Sequence, residues 1–245
     1  MKLAVIGDPV SHSGSPAIHA RLLREAGIEG TYEAIRVPAG EAAAAIAGLA
    51  TAGYTGCNVT SPLKEEAAAA CDELTPQARR ANAVNTIVFR GEIVGTTTDG
   101  IGAARSLEAR LGALRGRRIA VLGTGPTARA VVVQLREEKA KPLLWGRDTA
   151  KVLALCKALG ATGFLPGERD LEAAFCALLP NASLPPALIE ALRAAPLVID
   201  ANYGERATLG DQLGRQVVDG SAMLEAQARA SFDFWRASER AVDAS

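Results

Sequence analysis

Apolar residues in this chain fall into short runs closed by glycine or proline, and these alternate with longer stretches of helical spacing. Leu3–Ile6 is such a run, ended by Gly7-Asp8-Pro9, and reads as a buried strand. Pro16 to Ala26 reads as a helix, with proline in its first turn and Gly27 past its end. Thr31 to Val37 is a second strand, Gly40 to Leu49 an alanine-rich helix, and Gly56 to Thr60 a third strand. A helix starts near Pro62, and a short one spans Thr75 to about Asn82. Val84–Phe89 and Glu92–Val94 flank Arg90-Gly91, a hairpin signal. The first 100 residues are thus an α/β unit with a mixed, mainly parallel sheet.

Ile101 to Leu111 is a helix leaving that unit. From Arg117 a second series begins. It contains a strand to Leu122, a glycine loop, a helix from about Thr127 to Glu138, a strand Pro142–Trp145 and a helix Thr149–Leu159. That βαβα order opens a Rossmann-like, doubly wound nucleotide-binding domain over residues 101–220. Further strands are expected at Phe175–Leu179, Leu197–Asp200 and Gln216–Val218. The last helix, Ser221 to about Ala241, carries Met223, Leu224, Ala228, Phe232 and Trp235 at steps of three or four, an apolar stripe for core packing. The tail Ser238–Ser245 is expected to fray.

Composition narrows the function. The 245 residues suffice for one large or two modest domains, and 49% are hydrophobic. Lys plus Arg and Asp plus Glu number 27 each, so charge gives no case for nucleic acid or membrane surfaces. Cys57, Cys71, Cys156 and Cys176 form no Cys-x-x-Cys pair and no zinc spacing, which fits reduced thiols in a cytoplasmic protein without a metal. The start, Met1 to Gly7, is too short for a signal peptide, and no apolar run approaches the ~18 residues of a membrane span.

Candidate chemistry lies in three places. Gly123-Thr124-Gly125-Pro126-Thr127 follows the strand ending at Leu122. Glycines there let the backbone approach a pyrophosphate at a helix N-terminus. The third glycine of such loops is missing, with Ala128 or Ala130 as the small residue, and a plain strand–turn–helix has the same pattern. At the end of the next strand, Arg147 can pair the 2′-phosphate of NADP, while Asp148 favours NAD. Upstream, Asn58-Val59-Thr60-Ser61-Pro62-Leu63-Lys64 and Thr96-Thr97-Thr98-Asp99 offer one lysine and one aspartate among hydroxyl and amide side chains. These form a proton-transfer pair if they meet, and ordinary exposed charges if not. Ser13 and Ser15 precede a helix and either cap it or hold a carboxylate. His12 and His19 lack a third metal ligand and are expected in capping or surface roles.

These segments resemble the shikimate dehydrogenase family, which includes shikimate and quinate dehydrogenases. The resemblance rests on Gly7 to Pro16 with Ser13 and Ser15, the Asn58-x-Thr60-x-Pro62-x-Lys64 motif, and Ala83-Val84-Asn85-Thr86. It rests also on Thr98-Asp99-Gly100-x-Gly102, the stretch with Tyr203 and Thr208, and Met223-Leu224-x-x-Gln227-Ala228. It implies reversible, NADP-linked reduction of 3-dehydroshikimate to shikimate, in the pathway to chorismate and the aromatic amino acids. Ser13 and Ser15 would hold the carboxylate. Asn58, Thr60, Asn85 and Gln227 would hold ring hydroxyls, with Tyr203 also in the substrate site. Lys64 and Asp99 would be the catalytic pair. Gly123, Thr124, Gly125, Pro126, Thr127 and Arg147 would bind NADP, with NAD possible. Residues 221–245 would rejoin 1–100 as the substrate domain, and the protein would be a monomer or homodimer. The family prefers Ala at Thr124, Gly-Ala at Pro126-Thr127, Asn at Thr97, and Asn-Arg-Thr over Gly146-Arg147-Asp148. Those departures leave two alternatives open: a quinate or amino-shikimate dehydrogenase using NAD(P), or a shikimate-binding regulatory protein without catalysis.

Overall fold

The computed structural model describes residues 1–168 and 170–243, with side chains described as far as Ser238. Two compact units emerge: Met1–Thr98 with Gln227–Ser245, and Asp99–Ala226.

The first unit runs β1 (Lys2–Gly7), α1 (Ser15–Glu25), β2 (Thr31–Arg36), α2 (Ala42–Thr51), β3 (Gly56–Val59), α3 (Lys64–Ala70), β4 (Glu73–Leu74), α4 (Pro76–Ala81), β5 (Thr86–Arg90) and β6 (Glu92–Thr96). Its six strands lie in the order β2-β1-β3-β5-β6-β4. β1 pairs β2 and β3 in parallel through the helical crossovers, and β4 pairs β6 in parallel. β5 runs antiparallel to both β3 and β6, and the β5–β6 turn is the expected hairpin.

Side chains alternate across this sheet, so each strand feeds two cores. Ala4, Ile6, Cys57, Val59 and Ile87 face Ile46, Leu49, Leu63 and Ala67 of α2 and the α3 region. Leu3, Val88 and Val94 face the other way, against Leu22 and Leu23 of α1 and against Phe232 and Trp235. The last two belong to α10 (Ser221–Asp243). Trp235 is fully buried over Gly56, and its indole Nε1 donates to the Ile87 carbonyl at 2.8 Å. The bond ties the terminal helix to the middle of the sheet.

The second unit contains α5 (Asp99–Leu111), β7 (Arg118–Leu122), α6 (Pro126–Glu137), β8 (Lys141–Trp145), α7 (Thr149–Leu159), β9 (Thr162–Gly163), β10 (Ala173–Cys176), α8 (Pro186–Ala194), β11 (Val198–Asp200) and α9 (Leu209–Leu213). Its strands are all parallel, in the order β11-β10-β7-β8-β9. Read from β9 that is 3-2-1-4-5, the doubly wound order, with its switch point between β7 and β10. Ala120, Leu122, Leu143, Ala174 and Cys176 pack on Leu188, Leu192, Leu209 and Leu213.

Several expectations need correction. Gln216–Val218 forms only a single bridge, Ile199 to Val218, because the chain leaves the sheet edge at once. The strand expected at Phe175–Leu179 is Ala173–Cys176, and Leu179 is exposed. α8 and α9 were absent from the sequence expectation, as were the two-residue edge strands β4 and β9. The terminal helix continues past Ser238, whose hydroxyl donates to the Phe234 carbonyl, so the chain is not frayed from there. Ala244 and Ser245 lie outside the described residues.

His19 is neither a cap nor a surface residue. It is fully buried, stacked on Tyr32 with ring centroids 4.4 Å apart and tilted against Trp235 at 5.2 Å. Neither ring nitrogen has a hydrogen-bond partner among the described residues. Burial holds its pKa down at about 4, although nearby Asn58 favours the charged form. Cys57, Cys156 and Cys176 are buried free thiols, and burial pushes Cys176 up to about 12. Among the described residues no helix is long and apolar enough to cross a membrane, and no cluster of His, Cys, Asp or Glu could hold a metal ion.

Two outcomes follow from this packing. Trp235→Ala removes a buried indole and its hydrogen bond, and should cost about 3–5 kcal/mol in urea unfolding. His19 binds a proton more readily in the unfolded chain, so its contribution to stability is lost as pH falls from about 6.5 to about 4. His19→Phe should therefore flatten the dependence of the urea midpoint on pH within that window.

Candidate functional site

The first unit places its polar side chains where register demands. Asn58 on β3 lies opposite Thr86 on β5, both on the face that α10 covers. One turn apart on α10, Gln227 and Ser231 point at the same spot. All four are buried, together with Asn85 and Thr98. Burial of so many amide and hydroxyl groups is tolerable only with partners, and the partners are one another. Asn58 Nδ2 donates to the Asn85 carbonyl (3.0 Å), Thr86 Oγ1 (3.1 Å) and Ser231 Oγ (3.1 Å). Asn58 Oδ1 accepts from the Tyr32 hydroxyl at 2.7 Å. Asn85 Nδ2 donates to Thr98 Oγ1 (2.9 Å) and Gln227 Oε1 (3.1 Å). Its Oδ1 accepts from the Thr98 N–H (2.8 Å) and Thr86 Oγ1 (3.0 Å).

Ser15 lies beside this network. It is the first residue of α1, buried, and near the Tyr32 hydroxyl. Burial pushes Tyr32 well above the usual phenol range, so it remains a neutral donor. Ser13, half-buried, does not cap α1 through N2 or N3; its Oγ accepts from the Ser15 N–H at 3.2 Å. Lys64 is half-buried at the first position of α3, and its carbonyl accepts from the Val84 N–H (2.9 Å), next to Asn85. Thr60 is half-buried on the approach to α3, with its methyl group against Gly7. Asn58, Asn85 and Gln227 are thus joined by hydrogen bonds, with Ser15 beside Tyr32. Thr97 Oγ1 is buried without a partner among the described residues.

In the second unit Asp99 opens α5, buried, and its Oδ2 accepts from Thr127 Oγ1 at 3.0 Å. Lys64 and Asp99 therefore fall in different units. Thr127 lies in the first turn of α6, where Gly125 is the N-cap residue without a side-chain cap bond and Pro126 takes the first helical position. Gly123 has φ +119°, a conformation L side chains rarely adopt, and a Cβ there would meet the Ala177 carbonyl oxygen at 3.0 Å. The Arg129 guanidinium is buried and donates to the Thr124 carbonyl at 3.2 Å.

Two departures from the family pattern depend on each other. A Cβ on Gly146 would sit 2.6 Å from Thr124 Cγ2, closer than real atoms approach. With Thr at 124, an Asn at 146 would collide, so Gly146 accompanies Thr124. Asp148 caps α7, its Oδ1 accepting from the Lys151 N–H at 3.0 Å. Arg147 beside it is exposed.

At the carboxyl ends of β10 and β11 lies a small open cleft lined by Leu178, Asn181, Asp200, Asn202 and Thr208. Asp200, buried at its wall, is the organising group. Its Oδ1 accepts from Asn202 N (3.0 Å) and Nδ2 (2.8 Å), and its Oδ2 from Leu209 N (3.4 Å). Burial raises its pKa against these bonds. Asn202 Nδ2 also donates to the Leu178 carbonyl (3.0 Å), and Thr208 Oγ1 accepts from the Asn181 N–H (3.1 Å). The segment after β11, half-buried Tyr203 included, is thereby laced to the segment after β10.

Sequence reasoning missed Tyr32, Ser231 and Asp200, and gave no role to Thr86, although the Ala83–Thr86 motif contains it. No motif contains Tyr32 or Ser231, and only strand register and helix phase bring them to the network. Asp200 closes an apolar run, and its position at the carboxyl end of a parallel strand was the available signal.

Comparison with known proteins agrees with this architecture. Residues 5–87 match the family model for the shikimate dehydrogenase substrate binding domain. A shikimate dehydrogenase (NADP(+)) of Gluconobacter oxydans is 41% identical, over 96% of this chain and 90% of its own. The crystal structure of shikimate dehydrogenase from Aquifex aeolicus superimposes with a TM-score of 0.84 at 30% identity, covering 96% and 92% of the two chains. That of Thermus thermophilus shikimate 5-dehydrogenase, in complex with NADP(H) and shikimate, gives 0.83 at 32% identity, covering 96% and 93%. Similarity across nearly the whole length of both chains, on a matching fold, makes this chain a member of the shikimate dehydrogenase family.

Proposed function

We propose that this chain catalyses the reversible, NADP-dependent interconversion of 3-dehydroshikimate and shikimate. The observation that carries this is the buried network joining Asn58, Asn85 and Gln227, with buried Ser15 beside it, an array of amide and hydroxyl groups suited to a polyhydroxylated ring acid. Unit Met1–Thr98 with Gln227–Ser245 would be the substrate domain and Asp99–Ala226 the nucleotide domain. The protein would then be a cytoplasmic enzyme of aromatic amino acid biosynthesis, monomeric or homodimeric.

The second unit fits a dinucleotide. The first turn of α6 carries backbone N–H groups with no helical partner, the N-cap Gly125 lacks a side-chain cap, and nothing lies within 4 Å of where its Cβ would be. Gly123, Thr124, Gly125, Pro126 and Thr127 would line the pyrophosphate. Arg147 would pair the 2′-phosphate, and Asp148, held as a helix cap, would not compete for a ribose hydroxyl. NADP(H), when bound, supplies or accepts the hydride. Lys64 would give a proton to the carbonyl oxygen as it becomes an alcohol, with Asp99 as the second acid–base group. Ser13 and Ser15 would hold the carboxylate. Asn58, Thr60, Asn85, Tyr203 and Gln227 would orient the ring.

Shikimate with NADP should give a rise in nicotinamide absorbance; silence with every ring acid and both nucleotides would overturn the assignment. Lys64→Ala should lower kcat by roughly 10²–10⁴-fold while circular dichroism and thermal midpoint stay unchanged. For Arg147→Ala the expected outcome is a higher KM for NADP and an unchanged KM for NAD, measured by initial rates. Equal effects on both nucleotides would assign Arg147 some other role.

A further inference from the structure

Ser231 has no part in any motif, yet its hydroxyl sits at the centre of the buried network. It is fully buried. Its Oγ lies 2.7 Å from Thr86 Oγ1, 3.1 Å from Asn58 Nδ2, 3.1 Å from Thr98 Oγ1 and 3.0 Å from the Gln227 carbonyl. A serine in a helix commonly donates to the carbonyl four residues back, and that alone would be local satisfaction. Here the same oxygen also meets groups from β3, β5 and the segment after β6.

The count of protons gives this position its consequence. A hydroxyl has one proton and two lone pairs. With its proton on the Gln227 carbonyl, Ser231 is a pure acceptor toward the strands. Asn58 must then present its NH₂ group, because its opposite side already accepts the Tyr32 proton. A flipped Asn58 would set its oxygen against the Asn85 carbonyl, acceptor facing acceptor. Thr86 has one proton, shared between Asn85 Oδ1 at 3.0 Å and Ser231 Oγ at 2.7 Å; when it turns to Ser231, Thr86 and Asn58 fill both lone pairs and the single Thr98 proton goes to Gln227 Oε1 at 3.3 Å or Asn85 Oδ1 at 3.2 Å. Gln227 is thus anchored through its own carbonyl, and its amide is reached through Thr98 when that proton turns to Oε1.

We propose that Ser231 is a positioning residue for recognition of the ring hydroxyls: its buried hydroxyl, accepting from Asn58 Nδ2 and anchored on the Gln227 carbonyl, holds the Asn58 and Gln227 amides in place in the sense that Tyr32 and Asn85 set. The role rests on the shikimate dehydrogenase assignment above. Ser231 touches no substrate atom and acts only through Asn58, Thr98 and Gln227. Alanine at this position favours the helix, so the fold persists, but the amides lose the acceptor that holds them.

The test compares the full-length wild type with Ser231→Ala and Ser231→Cys, using initial rates and calorimetric binding of shikimate. Ser231→Ala should raise the KM and Kd for shikimate about five- to ten-fold, the equivalent of one buried hydrogen bond. KM for NADP should stay within about two-fold. Ser231→Cys, similar in size and poorer as an acceptor, should fall between. With a ring acid lacking one hydroxyl, the Ser231→Ala penalty should shrink, since the misoriented amide has less to recognise; a general packing defect would weaken both ligands alike. Unchanged shikimate affinity in Ser231→Ala, or equal penalties on both ring acids, would overturn the proposal. A wild type that neither binds nor turns over shikimate would instead overturn the assignment on which it rests.

Discussion

Buried amides that cannot reach water govern the first unit. Asn58, Asn85 and Gln227 come from a strand, a strand entry and a terminal helix, and each is satisfied by the others or by a hydroxyl among them. A single buried amide without partners would cost more than its hydrogen bonds return. Assembled, they are rigid and fix three elements at once: the register of β3 on β5, the rotation of α10, and the sense of each amide. Trp235 on α10, bonded to the Ile87 carbonyl, secures the same helix two turns further on. The site proposed for a polar ring is therefore continuous with the hydrophobic core and not a loop laid over it.

The second unit solves a different problem. An all-parallel sheet brings its ligand-binding ends to one edge, and the backbone there must pass close to other atoms. Thr124 and Gly146 show how two unusual residues make one compatible pair. Asp200 shows how a carboxylate can organise two loops by accepting from three N–H groups despite the cost of its burial. Asp99 meets Thr127 from the turn after the glycines, so the aspartate motif and the glycine loop share a hydrogen bond within this unit.

Much of this was legible in the chain. β1, the β5–β6 hairpin, the glycine loop and the apolar stripe of α10 all announce themselves by period and punctuation. β4 and β9 did not, because two residues carry no period. α8 was obscured by the prolines that start it, although Leu188 and Leu192 are spaced as a helix. His19 looked like a surface residue because nothing local reveals the Tyr32 ring above it. Asn58, Asn85 and Gln227 could be named from motifs. Ser231 and Tyr32 could not, and Thr86 was in a motif without a role, since their meaning lies in which strand stands opposite and which way a distant helix is turned. The ambiguity of Asp148 was likewise local: only the Lys151 N–H shows that its carboxylate caps α7.

The Asn58–Ser231 hydrogen bond spans 173 residues of sequence. A ribosome delivers Tyr32, Asn58, Thr86 and Thr98 long before their partners on α10, and the intervening unit is complete before those partners appear. Until then, the strand face lacks the helix that covers it. The site proposed for the ring acid is accordingly the last to be completed as the chain is made, and loop-closure entropy places its formation late in refolding as well.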